Sequence, residues 1–190
     1  MNLMIFFANV TLLIATMLAT PVMSFAQIPP EYDRDYFGGW ADTDRDCLNT
    51  RNELLAQLST GPVMMSENGC RVMRGRWLDP YTDMIFTDSS NLDIDHLVPL
   101  HWAWMHGAWA WSDMVRSNFA NDQRNLFAVD NGTNREKGAK GPLEWLPPSG
   151  DFACQYASRF WRVVLIYGLI VDGTEEKALK QQRAVVCADG

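Results

Sequence analysis

The amino-acid sequence predicts one domain of the α+β class, with a small antiparallel hairpin and several packed helices. Short apolar segments bounded by turn residues, such as 92–96, indicate strands. Longer segments with apolar residues at helical spacing, such as 152–167, indicate helices. The chain has 190 residues, of which 47% are hydrophobic and 21% charged. This length and composition suit a single globular domain with its own core.

The predicted strands and helices follow one another without an internal repeat. The first half is predicted to form a helix at 49–58, a hairpin of 71–78 and 83–87, and a strand at 92–96. The second half is predicted to form helices at 100–111 and 112–119, a strand at 125–129, and helices at 134–140, 152–167 and from Thr174 onward. Asn131-Gly132 is expected to be a turn. The helix at 100–111 is rich in Trp, and an aromatic stripe of this kind is more typical of a core than of a base-stacking surface.

The first 26 residues are predicted to be a signal peptide. Residues 1–26 contain no charged side chain, and Ser24-Phe25-Ala26 has the small residues of a cleavage site. The apolar run also approaches the length of a membrane anchor, which remains an alternative. Residues 27–35 are expected to be a Pro-rich tether, and residues 36–190 the domain itself. The sequence thus predicts a secreted or periplasmic protein without stable membrane association after cleavage.

Four cysteines, and no Cys-x-x-Cys pair among them, favour two disulfides in an oxidising compartment over a zinc site. Three pairings are possible. Proximity along the chain favours Cys47–Cys70 and Cys154–Cys187.

An acidic segment resembles a calcium-binding loop. Asp42, Asp44, Asp46 and Glu53 occupy the first, third, fifth and twelfth positions of an EF-hand loop. The sixth position, where such loops require Gly, is Cys47. The segment therefore predicts either a structural Ca²⁺ site or an Asp-rich turn that precedes a helix.

The candidate catalytic residues follow the order strand, strand, helix of a ββα-metal site. Hydrolysis of a phosphodiester needs a water nucleophile, a base and a cation near the leaving oxygen. His96 has the side chain of a general base, and Asp95 and Asn134 offer hard oxygen ligands for Mg²⁺ or another divalent ion such as Mn²⁺. Asn125 is expected to clamp the loop beside His96, and Lys137 to contact a phosphate.

Each of these residues also has an ordinary structural explanation. Asn134 could cap a helix, Lys137 could be a solvated helix charge, and Asp93 shares a strand face with Asp95 as an alternative ligand. His101 and His106 are expected to be structural or surface residues. A histidine of ordinary pKa predicts an activity that falls below about pH 6 to 6.5.

A set of motifs resembles the exported HNH nucleases related to the C-terminal nuclease domain of GmrSD-type restriction enzymes. The resemblance covers about 36–179 and rests on Asp93-x-Asp95-His96-x-Val98-Pro99-Leu100, Phe119-Ala120-Asn121-Asp122, Asn125-Leu126, Asn134-x-x-Lys137-Gly138 and Glu144-Trp145-Leu146-Pro147-Pro148. It implies that His96 is the general base, that Asp95 and Asn134 bind the metal, and that Asn125 organises the loop. It also implies a DNA substrate without a reliable sequence preference.

The net charge of −7 is unusual for a protein that binds nucleic acid. Such a protein must concentrate its positive charge locally or use a bound cation, because phosphate neutralisation drives binding. The alternative hypothesis is a non-enzymatic, disulfide-linked exported module that binds calcium or another ligand. Cleavage of RNA and the oligomeric state are left open by the sequence.

Overall fold

The computed structural model describes residues 28–188, so the predicted signal peptide lies outside the described residues. The fold is of mixed α+β class. In this part of the chain the strands are β1 (Met64–Met65), β2 (Val72–Leu78), β3 (Ile85–Asp88), β4 (Leu92–His96) and β5 (Leu126–Asp130). The α-helices are α1 (Thr50–Leu58), α2 (Leu100–Met105), α3 (Asp113–Ala120), α4 (Asn131–Lys137), α5 (Gly150–Tyr167) and α6 (Gly173–Val186).

The first sheet has three antiparallel strands in the order β1-β2-β3. Its β2–β3 pair is the predicted hairpin. Trp77 on β2 is buried, and its Nε1 donates a hydrogen bond of 2.8 Å to the Leu55 carbonyl of α1. Trp77, Leu54 and Leu55 belong to one buried apolar cluster, which attaches α1 to this sheet and to the second one.

The second sheet is the antiparallel pair β4–β5, with Leu92 opposite Asp130 and His96 opposite Leu126. The connection 97–125 contains α2 and α3, and α4 follows β5 directly. The chain therefore forms a two-stranded sheet followed by a helix. Asp95 and His96 occupy the end of β4, next to the long connection.

The Trp-rich segment after β4 lies in the main core, as predicted, with Trp102 and Trp104 buried. The predicted helix over 100–111 is too long, because α2 ends at Met105. Gly107 has a φ of 105°, a left-handed conformation that only Gly adopts readily, and a short 3₁₀ turn follows at Ala108–Ala110.

Aspartate caps move two other helix starts away from the predicted positions. α4 begins at Asn131 rather than 134, because the Asp130 side chain accepts a 2.7 Å hydrogen bond from the Thr133 amide. The predicted turn at Asn131-Gly132 is thus the first turn of α4, and Asn134 lies inside the helix. Asp172, rather than Thr174, caps α6.

The described part of the expected tether packs against the domain instead of extending from it. The Pro30 carbonyl accepts a 2.8 Å hydrogen bond from Trp104 Nε1, and the Tyr32 ring lies 4.6 Å from the ring of His101. A 3₁₀ turn at Arg34–Phe37 then buries Phe37 completely. Aromatic contacts to α2 therefore order this segment.

Both disulfides have the predicted pairing, Cys47–Cys70 and Cys154–Cys187. The first joins the segment before α1 to the segment before β2, and the second joins α5 to the end of α6. Across residues 28–188, none of the helices combines the length and the apolar character that a membrane span requires.

Candidate active site

Two adjoining clefts meet at the end of β4. The larger has a volume of about 440 Å³, and the smaller has a volume of about 260 Å³. Arg34, His96 and Leu100 line both clefts. The larger is otherwise lined by Asp35, Gly38, Gly39, Trp40 and Ala120, and the smaller by Tyr32, Ile94, Asp95, Pro99, His101, Asn134, Gly138 and Ala139. A small ligand in either cleft would therefore contact His96.

The imidazole of His96 is held in a fixed orientation. Its Nε2 lies 2.8 Å from the Ala120 carbonyl at the end of α3, and its ring stacks parallel to Trp40 with 5.3 Å between centroids. Because a carbonyl can only accept a hydrogen bond, Nε2 carries the proton in the neutral ring. Nδ1 is then the unprotonated nitrogen, and the buried ring has its basic atom defined by the fold.

Burial lowers the pKa of His96 to about 3, because an imidazolium loses its hydration in this position. The Ala120 hydrogen bond opposes this shift, while the positive charges of Arg34 and Lys137 add to it. His96 is therefore neutral at pH 7. The expectation that activity falls below about pH 6 to 6.5 assumed an ordinary pKa, and the lowered pKa of His96 instead predicts a fall at lower pH.

Asp95 accepts hydrogen bonds from two buried side chains. Lys137 Nζ lies 3.0 Å from its Oδ1 and 2.9 Å from its Oδ2, and the Tyr81 hydroxyl donates to Oδ2 at 2.6 Å. Burial raises the pKa of Asp95, whereas Lys137 and the Tyr81 hydrogen bond lower it. A negative carboxylate paired with an ammonium is the favoured state here, since an unpaired buried ammonium would be costly.

Lys137 is completely buried, at 0% exposed, and is not a solvated helix charge. Its Nζ also donates a 2.9 Å hydrogen bond to the His96 carbonyl. The expected contact between Lys137 and a phosphate does not fit this placement, because the ammonium faces Asp95 rather than solvent. Lys137 instead fixes the carboxylate and the backbone on either side of the Asp95–His96 peptide bond.

Asn134 lines the smaller cleft together with Asp95 and His96. Its amide nitrogen donates a 3.1 Å hydrogen bond to Asp93 Oδ2. This contact orients the amide and leaves its oxygen available as a ligand. Asp93 is thereby placed as a partner of Asn134. The cleft brings together two hard oxygen donors, from β4 and from α4, that suit a divalent cation such as Mg²⁺.

Asn125 is fully buried and bonds to the loop that leaves β4. Its Oδ1 accepts a 2.8 Å hydrogen bond from the Val98 amide, and its Nδ2 donates to the Val98 carbonyl at 3.2 Å. The Asn125 carbonyl accepts from the Leu97 amide at 2.8 Å. These three bonds join both ends of the long connection, immediately after His96.

The other two histidines differ in their position relative to the clefts. His101 lines the smaller cleft, where it is exposed and stacks on Tyr32. His106 is partly buried, with its Nδ1 2.7 Å from the Trp102 carbonyl and its Nε2 3.0 Å from the Glu175 carboxylate. Both contacts are those of residues that stabilise the fold.

The acidic loop gathers its carboxylates at the surface. Oxygens of Asp42, Asp44 and Asp46 lie within 4.8 Å of one another. Burial raises the pKa of Glu53, and the three aspartates add to this shift. Cys47, at the position where a calcium loop has Gly, has a φ of 73°. A structural Ca²⁺ at this loop stays a prediction.

Comparison with known proteins identifies the family. The model of the family "GmrSD restriction endonucleases, C-terminal domain" matches residues 36–180. The chain belongs to this family. An "uncharacterized secreted protein" of Arthroderma benhamiae is 37% identical over 150 residues, which are 78% of this chain and 72% of that protein. That description agrees with the predicted export. No solved structure matches the chain.

The part of the chain that matches the GmrSD C-terminal domain includes His96, Asn125 and Lys137, but it begins after Arg34. Arg34 borders both clefts, and the sequence analysis missed it because Pro-rich neighbours suggested a tether. The aromatic residues around it, Tyr32 and Phe37, are the signal that could have marked an ordered segment.

Proposed function

We propose that this protein is a secreted, metal-dependent HNH endonuclease that hydrolyses DNA phosphodiester bonds with little sequence specificity. The observation that carries the proposal is a neutral histidine of fixed tautomer, His96, in one cleft with the oxygen donors Asp95 and Asn134. Membership of a family of restriction endonuclease domains supports this activity. In this proposal β4, β5 and α4 form the ββα-metal core.

His96 is the general base of the proposed reaction. A water molecule in the cleft loses a proton to Nδ1 as its oxygen attacks the phosphorus atom, and the bond to the leaving oxygen breaks. The ring becomes an imidazolium while Nε2–H keeps its 2.8 Å hydrogen bond to the Ala120 carbonyl. That carbonyl stabilises the developing positive charge, because hydrogen bonds to charged groups are the stronger ones.

Asp95 and Asn134 would hold the divalent cation, which we take to be Mg²⁺ or Mn²⁺. The amide oxygen of Asn134 is directed by the bond from its nitrogen to Asp93, and Lys137 keeps Asp95 ionised. A bound cation would act as a Lewis acid and stabilise the negative charge that develops on the leaving group. Lys137 and Asn125 act as positioning residues, since neither side chain reaches the cleft in this structure.

A plasmid-nicking assay tests the proposal. Wild-type protein is expected to nick plasmid DNA with Mg²⁺ and to stop in EDTA. His96→Ala is expected to reduce cleavage by about 10²- to 10⁴-fold, because general-base assistance is lost. His106→Ala is the matched control. His106 lines neither cleft, so this variant should cleave within a few-fold of wild type. Circular dichroism and a melting curve check that each variant is folded.

Two results would contradict this assignment. Cleavage at the wild-type rate by folded His96→Ala would exclude His96 as the base. Absence of Mg²⁺-dependent nicking by the wild type would instead favour the non-enzymatic, calcium- or ligand-binding module.

A further inference from the structure

We infer that Arg34 binds the scissile phosphate in the cleft beside His96. This inference rests on the proposed function, and it assigns a substrate contact to a residue outside the matched family region, which begins at 36.

Arg34 is the one Lys or Arg among the residues that line the two clefts. It lines both of them, at the boundary where His96 is also found. The residue is exposed, and within residues 28–188 its side chain forms neither a salt bridge nor a hydrogen bond. Its guanidinium is therefore free to bind an anion that enters either cleft.

The backbone around Arg34 is fixed, although its side chain is free. The Asp33 side chain accepts a 2.9 Å hydrogen bond from the Asp35 amide, and the Gly38 amide donates to the Asp35 carbonyl at 3.0 Å. Phe37 is completely buried, and Arg116 Nε donates to the Tyr36 carbonyl at 3.0 Å. These contacts hold the start of the Arg34 side chain at the edge of the clefts.

Three other cations of the described residues are already engaged in contacts. Lys137 is buried against Asp95, and Arg124 pairs with Asp122 at 2.6 Å. Arg51 donates to the carbonyls of Ser89 and Leu92 at 3.1 and 2.9 Å. A protein of net charge −7 needs a local positive group to attract a phosphodiester, and Arg34 supplies it at the clefts.

The chemistry of the guanidinium suits a phosphodiester. Its planar fork donates two parallel hydrogen bonds to two phosphate oxygens, which a lysine ammonium cannot reproduce. The distribution of negative charge over the phosphate oxygens changes as hydrolysis proceeds. Hydrogen-bond donors already held in place, such as this guanidinium, stabilise the transition state. Arg34 would thereby hold the phosphate while His96 takes the proton of the attacking water.

The test compares Arg34→Ala, Arg34→Lys and Arg162→Ala. Arg162 is an exposed residue of α5 that lines neither cleft, so Arg162→Ala removes the same charge elsewhere. Two properties are measured: kcat/KM for Mg²⁺-dependent cleavage, and the salt dependence of binding to a labelled DNA duplex in EDTA. The second measurement does not require catalysis.

We expect Arg34→Ala to lower kcat/KM by about 10- to 100-fold, the effect of losing a hydrogen bond to a charged group. The slope of log K against log salt should fall by about one, because one phosphate contact is lost. Arg34→Lys should keep the slope but recover only part of kcat/KM. Arg162→Ala should match wild type in both.

A slope and a kcat/KM for Arg34→Ala equal to those of Arg162→Ala would overturn the inference and leave the nuclease assignment intact. Wild-type protein that binds DNA with an Arg34-dependent slope but does not cleave it would overturn the proposed activity alone.

Discussion

The neutral state of His96 links one imidazole to the stability of the whole protein. The folded pKa is about 3, whereas a histidine in the unfolded chain has a pKa of about 6.5. Between these values the unfolded state binds more protons than the folded state. The contribution of His96 is therefore complete above about pH 6.5 and is lost as the pH falls toward 3.

Urea unfolding at pH 7 and pH 5 measures this contribution. For each pH unit below about 6.5, the free energy of unfolding should fall by about 1.4 kcal/mol because of this group. The loss should reach about 2 kcal/mol at pH 5. His96→Asn lacks the titrating ring, so its stability should depend less on pH by that amount. Parallel profiles for the two proteins would show that the ring is not buried in its neutral form.

Some residues of the candidate site can be predicted from the sequence, and others cannot. Asp95, His96 and Asn134 were predicted because their order along the chain is informative, and the structure gathers them in one cleft. The burial of Lys137 was not predictable, because the ion pair depends on a partner 42 residues away. Arg34 was missed because its Pro-rich neighbours suggested a tether, whereas in the fold α2 and β4 supply residues of the clefts it lines.

Two tyrosines, one from the β2–β3 turn and one from helix α5, meet in the core. Tyr81 lies between β2 and β3, Tyr156 lies on α5, and their rings meet edge to face with 5.9 Å between centroids. Both side chains are completely buried. The Tyr81 hydroxyl donates to Asp95, whereas the Tyr156 hydroxyl has no partner among the described residues.

Removing each hydroxyl should have a different effect. Tyr81→Phe should cost about 1.5–3 kcal/mol, because Asp95 loses a hydrogen bond to its charge. Tyr156→Phe should be neutral or stabilising by up to about 1 kcal/mol, since its hydroxyl is buried without compensation. The two variants delete the same atom and so control for each other. Equal losses in denaturant unfolding would contradict the hydrogen-bond assignment.

Element boundaries depended on local chemistry that the sequence shows only in part. Ser112 caps α3 as predicted, because its side chain accepts from the Val115 amide. The end of α2 was misplaced because apolar spacing continues through Gly107, whose left-handed conformation stops the helix. Asp130 and Asp172 are equally good caps in the sequence, but Asn131-Gly132 favours a turn and Thr174 is itself a common N-cap residue.

At the scale of the molecule, the two disulfides restrain different parts of the chain. Cys154–Cys187 joins α5 to the end of α6, and Leu179 is the buried residue of α6 among those described. Glu175 adds the contact to His106. Because α6 buries so little apolar surface, we expect it to need the disulfide to stay docked. Both pairings were predictable, because the partners are near in sequence.

The double variant Cys154→Ser/Cys187→Ser should open α6 locally. Closing a loop of this length stabilises by about 3–4 kcal/mol, so amide exchange in α6 should accelerate by about 10²-fold or more. Cleavage should persist, because α6 does not line either cleft. The double variant Cys47→Ser/Cys70→Ser is the control, and it should leave the amides of α6 protected from exchange. Unchanged α6 exchange in the first variant would refute this dependence.

The long connection between β4 and β5 has a role beyond joining two strands. Its last helix ends at Ala120, whose carbonyl selects the tautomer of His96. In a chimera that replaced residues 97–125 by a tight turn, this carbonyl would be absent. The proton of the neutral imidazole would then no longer be fixed on Nε2. The length of this excursion therefore serves to bring one backbone oxygen against the ring of His96.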